Sequence, residues 1–118
     1  MPVNRATNGV LGVGGLAVEG GTVTGAAGAA TLNTLAGVIT TESLTTAAGA
    51  QFTETLTDDR IAATDIVLAS VSTTGTGTPV MAEITPGAGS CVFVVQNIHA
   101  SGAFNAALKI YFFVVKQS

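Results

Sequence analysis

Tryptophan is absent from this 118-residue chain, and cysteine, histidine and tyrosine occur once each. A lone cysteine, Cys91, leaves no intramolecular disulfide and no cysteine-based zinc site, so neither a disulfide scaffold nor a zinc module can be built. Charged residues make up 9% of the chain, where ordinary domains carry roughly 25%. The four basic residues, Arg5, Arg60, Lys109 and Lys116, are scattered, and the net charge is −3. Nucleic-acid binders draw their affinity from clustered Lys and Arg that neutralise phosphates, so direct contact with DNA or RNA is not expected. Long apolar runs are missing too: nothing approaches the roughly 18 to 20 residues that a membrane helix requires, and no membrane partner is expected. The opening Met1-Pro2-Val3-Asn4-Arg5 lacks the basic patch and apolar core of a signal peptide, which makes assembly in a cytoplasm the expectation.

What the chain does contain is Ala, Gly and Thr, which together supply 52 of its residues. Hydrophobic residues are 47% of the total, the reverse of the low-hydropathy, high-charge signature of disorder. The length suits one domain. Residues 1–34 are Gly, Ala and Thr with single aliphatics between them. Gly20-Gly21 and Gly25 interrupt any helix there, and Thr is a poor helix former. This stretch is read as an extended N-terminal arm or irregular strands, and residues 35–118 as a β-sandwich domain.

Strand signals follow in order from Leu35. Leu35 to Thr40 is a short run containing Val38 and Ile39. In Gln51 to Thr57, Thr53, Thr55 and Thr57 share one face, and Phe52, Glu54 and Leu56 the other. Asp58-Asp59-Arg60 is a polar turn, Ile66 to Val71 is apolar on both faces, and Thr73 to Pro79 is a Gly/Thr loop. Val80 to Thr85, the turn Pro86-Gly87-Ala88-Gly89, and Ser90 to Ile98 predict a hairpin. Leu108 to Lys116 closes the chain as a further strand. Seven or eight short strands with no convincing helix predict an all-β fold: an antiparallel β-sandwich of jelly-roll or Greek-key type.

Cys91 to Val95 and Ile110 to Val115 are apolar on both faces, whereas a strand with one wet face should alternate. One face fills a core and the other needs a cover. A homo-oligomer, dimer or trimer, or a subunit held in a lattice is therefore expected. Val10, Leu11, Leu16 and Val18 of the arm and Tyr111, Phe113 and Val115 of the last strand are the candidate interface residues.

Candidate chemistry is sparse. Gly12-Val13-Gly14-Gly15-Leu16-Ala17 fits a dinucleotide fingerprint, but Val18-Glu19-Gly20-Gly21 cannot start the helix that would hold a pyrophosphate. Asp58, Asp59 and Asp65 lack the ligand spacing and glycine of a calcium loop. His99 with Cys91 or Ser101 has no orienting third group in view, and a backbone hydrogen bond after a strand is the simpler use of that imidazole. Cys91 reads as a small core hydrophobe. Tyr111, Phe112 and Phe113 lack the basic groove of a base-stacking platform. No catalytic residue, cofactor or metal site is expected, and the chain is not expected to be an enzyme.

Gly37-Val38-Ile39-Thr40-Thr41-Glu42-Ser43-Leu44-Thr45-Thr46-Ala47-Ala48-Gly49, Arg60-Ile61-Ala62-Ala63-Thr64-Asp65, Thr85-Pro86-Gly87-Ala88-Gly89-Ser90 and Gln96-Asn97-Ile98-His99-Ala100-Ser101 together resemble head decoration, or cement, proteins of tailed bacteriophages. The resemblance spans roughly residues 35 to 116. It implies a jelly-roll-type β-sandwich on the exterior of the virion, bound across boundaries between major capsid proteins, with no catalytic residues. The alternative is a receptor- or glycan-binding module of a tail fibre or adaptor. The absence of aromatic side chains from Thr73 to Pro79 weighs against it.

Overall fold

The computed structural model describes residues 20–117. Among these residues there is no helix. Eight strands run β1 (Thr22–Thr24), β2 (Ala29–Thr31), β3 (Ala36–Thr40), β4 (Gln51–Thr57), β5 (Ile66–Thr73), β6 (Pro79–Gly87), β7 (Ser90–Asn97) and β8 (Leu108–Val115). They form two four-stranded sheets, β1-β3-β8-β5 and β2-β4-β7-β6. Both are mixed, not wholly antiparallel as the sequence predicts: β1 lies parallel to β3 and β2 parallel to β4, because each reaches its neighbour by a crossover through the other sheet instead of a hairpin, while every other pairing is antiparallel.

Period-two alternation explains why the sheets stack into a β-sandwich-like body. Along β8, Leu108, Ile110, Phe112 and Val114 are buried. Along β7, Cys91, Phe93, Val95 and Asn97 are buried in the same rhythm. With Ile39, Leu56, Val67 and Phe104 these apolar side chains form one core fed by both sheets. The rings of Phe93 and Phe112 span the two layers, 6.3 Å apart and tilted by 43°.

The expected hairpin is present. β6 and β7 are joined at Ala88-Gly89, with Gly87 opposite Ser90, and Gly89 takes φ +77°. Its tip is anchored at both ends, since Asp58 N–H donates to the Gly89 carbonyl and Gly89 N–H donates to the Ile61 carbonyl. The Gln51–Thr57 strand also falls where its alternation predicts, with Glu54 and Leu56 buried and the threonines exposed. β6 runs along a sheet edge, and a bulge at Ala82 resets its register between Met81 and Glu83.

Within the 1–34 stretch, residues 20–34 contribute one short strand to each sheet, and residues 1–19 lie outside the described residues. The turn 25–28 joins edge strand β1 of one sheet to edge strand β2 of the other and is closed by reciprocal Ala26–Ala29 backbone hydrogen bonds of 2.9 and 3.0 Å. This clasp ties the two sheets together along one side.

Candidate functional site

The outward side chains of the sheet β1-β3-β8-β5 can be read row by row from its register. Val115 lies beside Ile66. Phe113 is flanked by Ala36 and Leu68, Tyr111 by Val38 and Ser70, and Lys109 by Thr40 and Ser72. The face therefore runs from apolar at one end to polar at the other. Leu68 is 54% exposed, Ile66 47% and Tyr111 42%, the degree of exposure that marks an interaction surface when large apolar groups are contiguous. A shallow groove of about 330 Å³ lies along Leu68, Ser70, Tyr111 and Phe113. A second hollow of about 200 Å³ continues from Tyr111 to Thr40, Ser72 and Lys109.

The outward face of the other sheet is built differently. Its rows are Thr55–Val92–Thr85, Thr53–Val94–Glu83 and Gln51–Gln96–Val80. Threonines flank Val92, and Thr53 and Glu83 flank Val94. Gln51 Nε2 donates to Gln96 Oε1 at 2.9 Å, and Gln96 Nε2 to the Gly49 carbonyl at 2.6 Å. Polar side chains thus dominate this face, with Val80 on β6 also exposed, and β7 and β8, each apolar on both faces, do not have equivalent surroundings. Of the interface residues expected from sequence, Tyr111, Phe113 and Val115 share the outward face of β8. Val10, Leu11, Leu16 and Val18 lie outside the described residues, as does the Gly12–Ala17 fingerprint. Ile66 and Leu68, not singled out from sequence, complete the patch. The signal was their spacing of two in a strand apolar on both faces, but only the register shows which side is outward.

Residues weighed for catalysis or for calcium are engaged in structure. His99 Nδ1 accepts from the N–H groups of Ser101 (3.1 Å) and Gly102 (2.7 Å), which closes the loop after β7. Cys91 is fully buried, and burial pushes its thiol up to about 11, far from a reactive thiolate. Asp65 is held well below the usual carboxylate range, at about 2, first by the Lys116 Nζ hydrogen bond of 2.6 Å and then by the Ala62 N–H. The stabilisation it gives is present above the ordinary carboxylate range and lost as pH falls through 2. Asp58 Oδ1 accepts from Arg60 N–H, and burial raises that carboxyl. Among the described residues no three His, Cys, Asp or Glu side chains converge as metal ligands would.

Two buried features were not read from sequence as a site. Asn97 links three loops through its amide. Glu54 lies buried in the core with Glu42 nearby. The alternation of β4 already put Glu54 on the face shared by Phe52 and Leu56, a charge where an apolar residue belongs. Comparison with protein-family models, curated proteins and solved structures gives no match to this chain.

Proposed function

We propose that this chain is a structural virion subunit: a decoration, or cement, protein on the outside of a tailed-phage head, binding itself and the major capsid protein across capsomer boundaries. The observation that carries this reading is the contiguous apolar face of Ile66, Leu68, Tyr111, Phe113 and Val115, three of whose members are more than two-fifths exposed. Such a face gains about 25 cal/mol for each Å² of apolar surface removed from water. A standard interface buries about 1,600 Å² in total, and this gain is offset by the costs of association. The engagement of His99, Cys91 and Asp65 in structural contacts favours a mechanical role over turnover.

The winding supports the finer fold expectation. Every connection between consecutive strands changes sheet except the β6–β7 hairpin. We read that alternation as a jelly roll with β1 and β2 added at one edge, the fold the resemblance implies. Purified phage heads provide the test. The protein should be present in hundreds of copies per particle, and heads stripped of it should lose resistance to heat and regain it on re-addition. A few copies per particle, or stripped heads as stable as complete ones, would overturn the proposal.

A further inference from the structure

Glu54 is fully buried, opposite the apolar Phe93 on the neighbouring strand. Neither of its carboxyl oxygens has a hydrogen-bond partner, and the same is true of Glu42 Oε1 just beyond β3. The other oxygen, Glu42 Oε2, accepts the N–H of Gly28 at 3.1 Å. The clasp between β1 and β2 closes over this pair at Gly25. A methyl group there would meet Glu54 Oε2 at 2.8 Å and the Ala29 carbonyl oxygen at 3.0 Å, so only glycine lets the turn seat so closely.

Among the described residues no opposite charge answers the pair. The clasp offers Gly25, Ala26, Ala27 and Gly28, β2 offers Ala29, Ala30 and Thr31, and Glu42 is the one charged group acting on Glu54. Of the basic residues among those described, Lys116 is bonded to Asp65, Arg60 acts on Asp58, and Lys109 is exposed on the outward face of β8. Two ionised carboxylates placed this way repel each other, and buried Glu54 loses hydration that no hydrogen bond replaces among the described residues. A single proton removes one of the two charges and turns one oxygen into a donor.

We propose that Glu42 and Glu54 form an acid pair that retains one proton in mildly acidic solution and thereby latches the β1–β2 clasp onto the sandwich. Loss of that proton to solvent at alkaline pH loosens the clasp. The elements it holds are the shortest in the fold, with three residue pairs joining β1 to β3 and three joining β2 to β4, so they are suited to local opening. Burial first and the Glu42 charge second push Glu54 from 4.5 to about 7. Because the closed state binds the proton more tightly than the open state, the latch is at full strength below the ordinary carboxylate value. It weakens as pH rises and is spent once pH has passed through 7.

Hydrogen exchange on the full chain tests this through the amides of Gly25, which donates to the Thr40 carbonyl, and Thr55, which donates to the Gly28 carbonyl. Expressed as protection factors, their opening equilibrium should rise roughly fifty-fold between about pH 5 and about pH 8. Glu54→Gln should flatten that profile. Glu42→Gln, which removes the like charge but not the burial, should move its midpoint to lower pH without abolishing it. A Glu54→Gln profile that matches the parent chain overturns the latch. So does recovery of protection at alkaline pH on adding millimolar calcium chloride, which would make the pair a cation site instead.

Discussion

Asn97 ends β7 with every hydrogen bond its side-chain amide can make. Nδ2 donates to the Thr46 and Gly102 carbonyls at 3.2 and 3.0 Å, and Oδ1 accepts from Thr78 and His99 N–H groups, both at 3.1 Å. One buried side chain thus supplies partners to three loops that would otherwise leave backbone groups dry and unpaired. Asn97→Ala strands those groups and should lower the unfolding free energy by about 3 kcal/mol in a urea titration with an unchanged slope. A loss below about 0.5 kcal/mol would mean that water or loop movement satisfies them instead. None of this was legible in the sequence. Gln96-Asn97-Ile98 looks like an ordinary strand end, and the partners lie at positions 46, 78 and 102, which only the tertiary fold assembles. Glu54 is the opposite case. Its inward position followed from the alternation of β4, but Glu42 came to it by the folding of a distant segment.

At the scale of elements, turn residues and period-two alternation made β4, the β6–β7 hairpin and β8 readable, because the local pattern and the buried face agree. β1 and β2 were readable only as irregular strands somewhere in residues 1–34, without position or partner. Thr22–Thr24 and Ala29–Thr31 are three residues long and pair in parallel with strands reached only through a crossover, so no hairpin turn or apolar run announces them. The hairpin gives the sharpest test of the local argument. Gly89 holds φ +77°, yet a Cβ there would meet nothing within 4 Å, so substitution strains the backbone alone. Gly89→Ala should cost about 1 to 2 kcal/mol. Gly89→Asn should cost less, since asparagine tolerates the left-handed region. Equal urea midpoints for the two variants would show that the loss comes from the hairpin's seat on Asp58 and Ile61 rather than from φ.

For the molecule as a whole, the contrast between its two outward faces bears on how so little charge suffices. One sheet shows mostly threonine and glutamine to water, with Val80 on its edge strand, and the other shows isoleucine, leucine and tyrosine around half-buried Phe113. Sequence indicated that strands apolar on both faces need a cover, but not that the need falls mainly on one sheet, since that depends on which strands neighbour each other. A self-association driven by this face has a definite signature. In sedimentation equilibrium the chain should form an oligomer, and Leu68→Lys, which puts a charge beside Phe113, should weaken it about 10- to 100-fold, or roughly 1.4 to 2.8 kcal/mol. Thr53→Lys on the opposite sheet should leave it unchanged, because the added charge meets solvent in both states. Sulfate, which strengthens apolar burial, should tighten the oligomer, whereas an assembly held by ion pairs would loosen as salt rises. Equal weakening by the two lysine substitutions would remove the Leu68 face from the interface and leave its exposed side chains to a different partner.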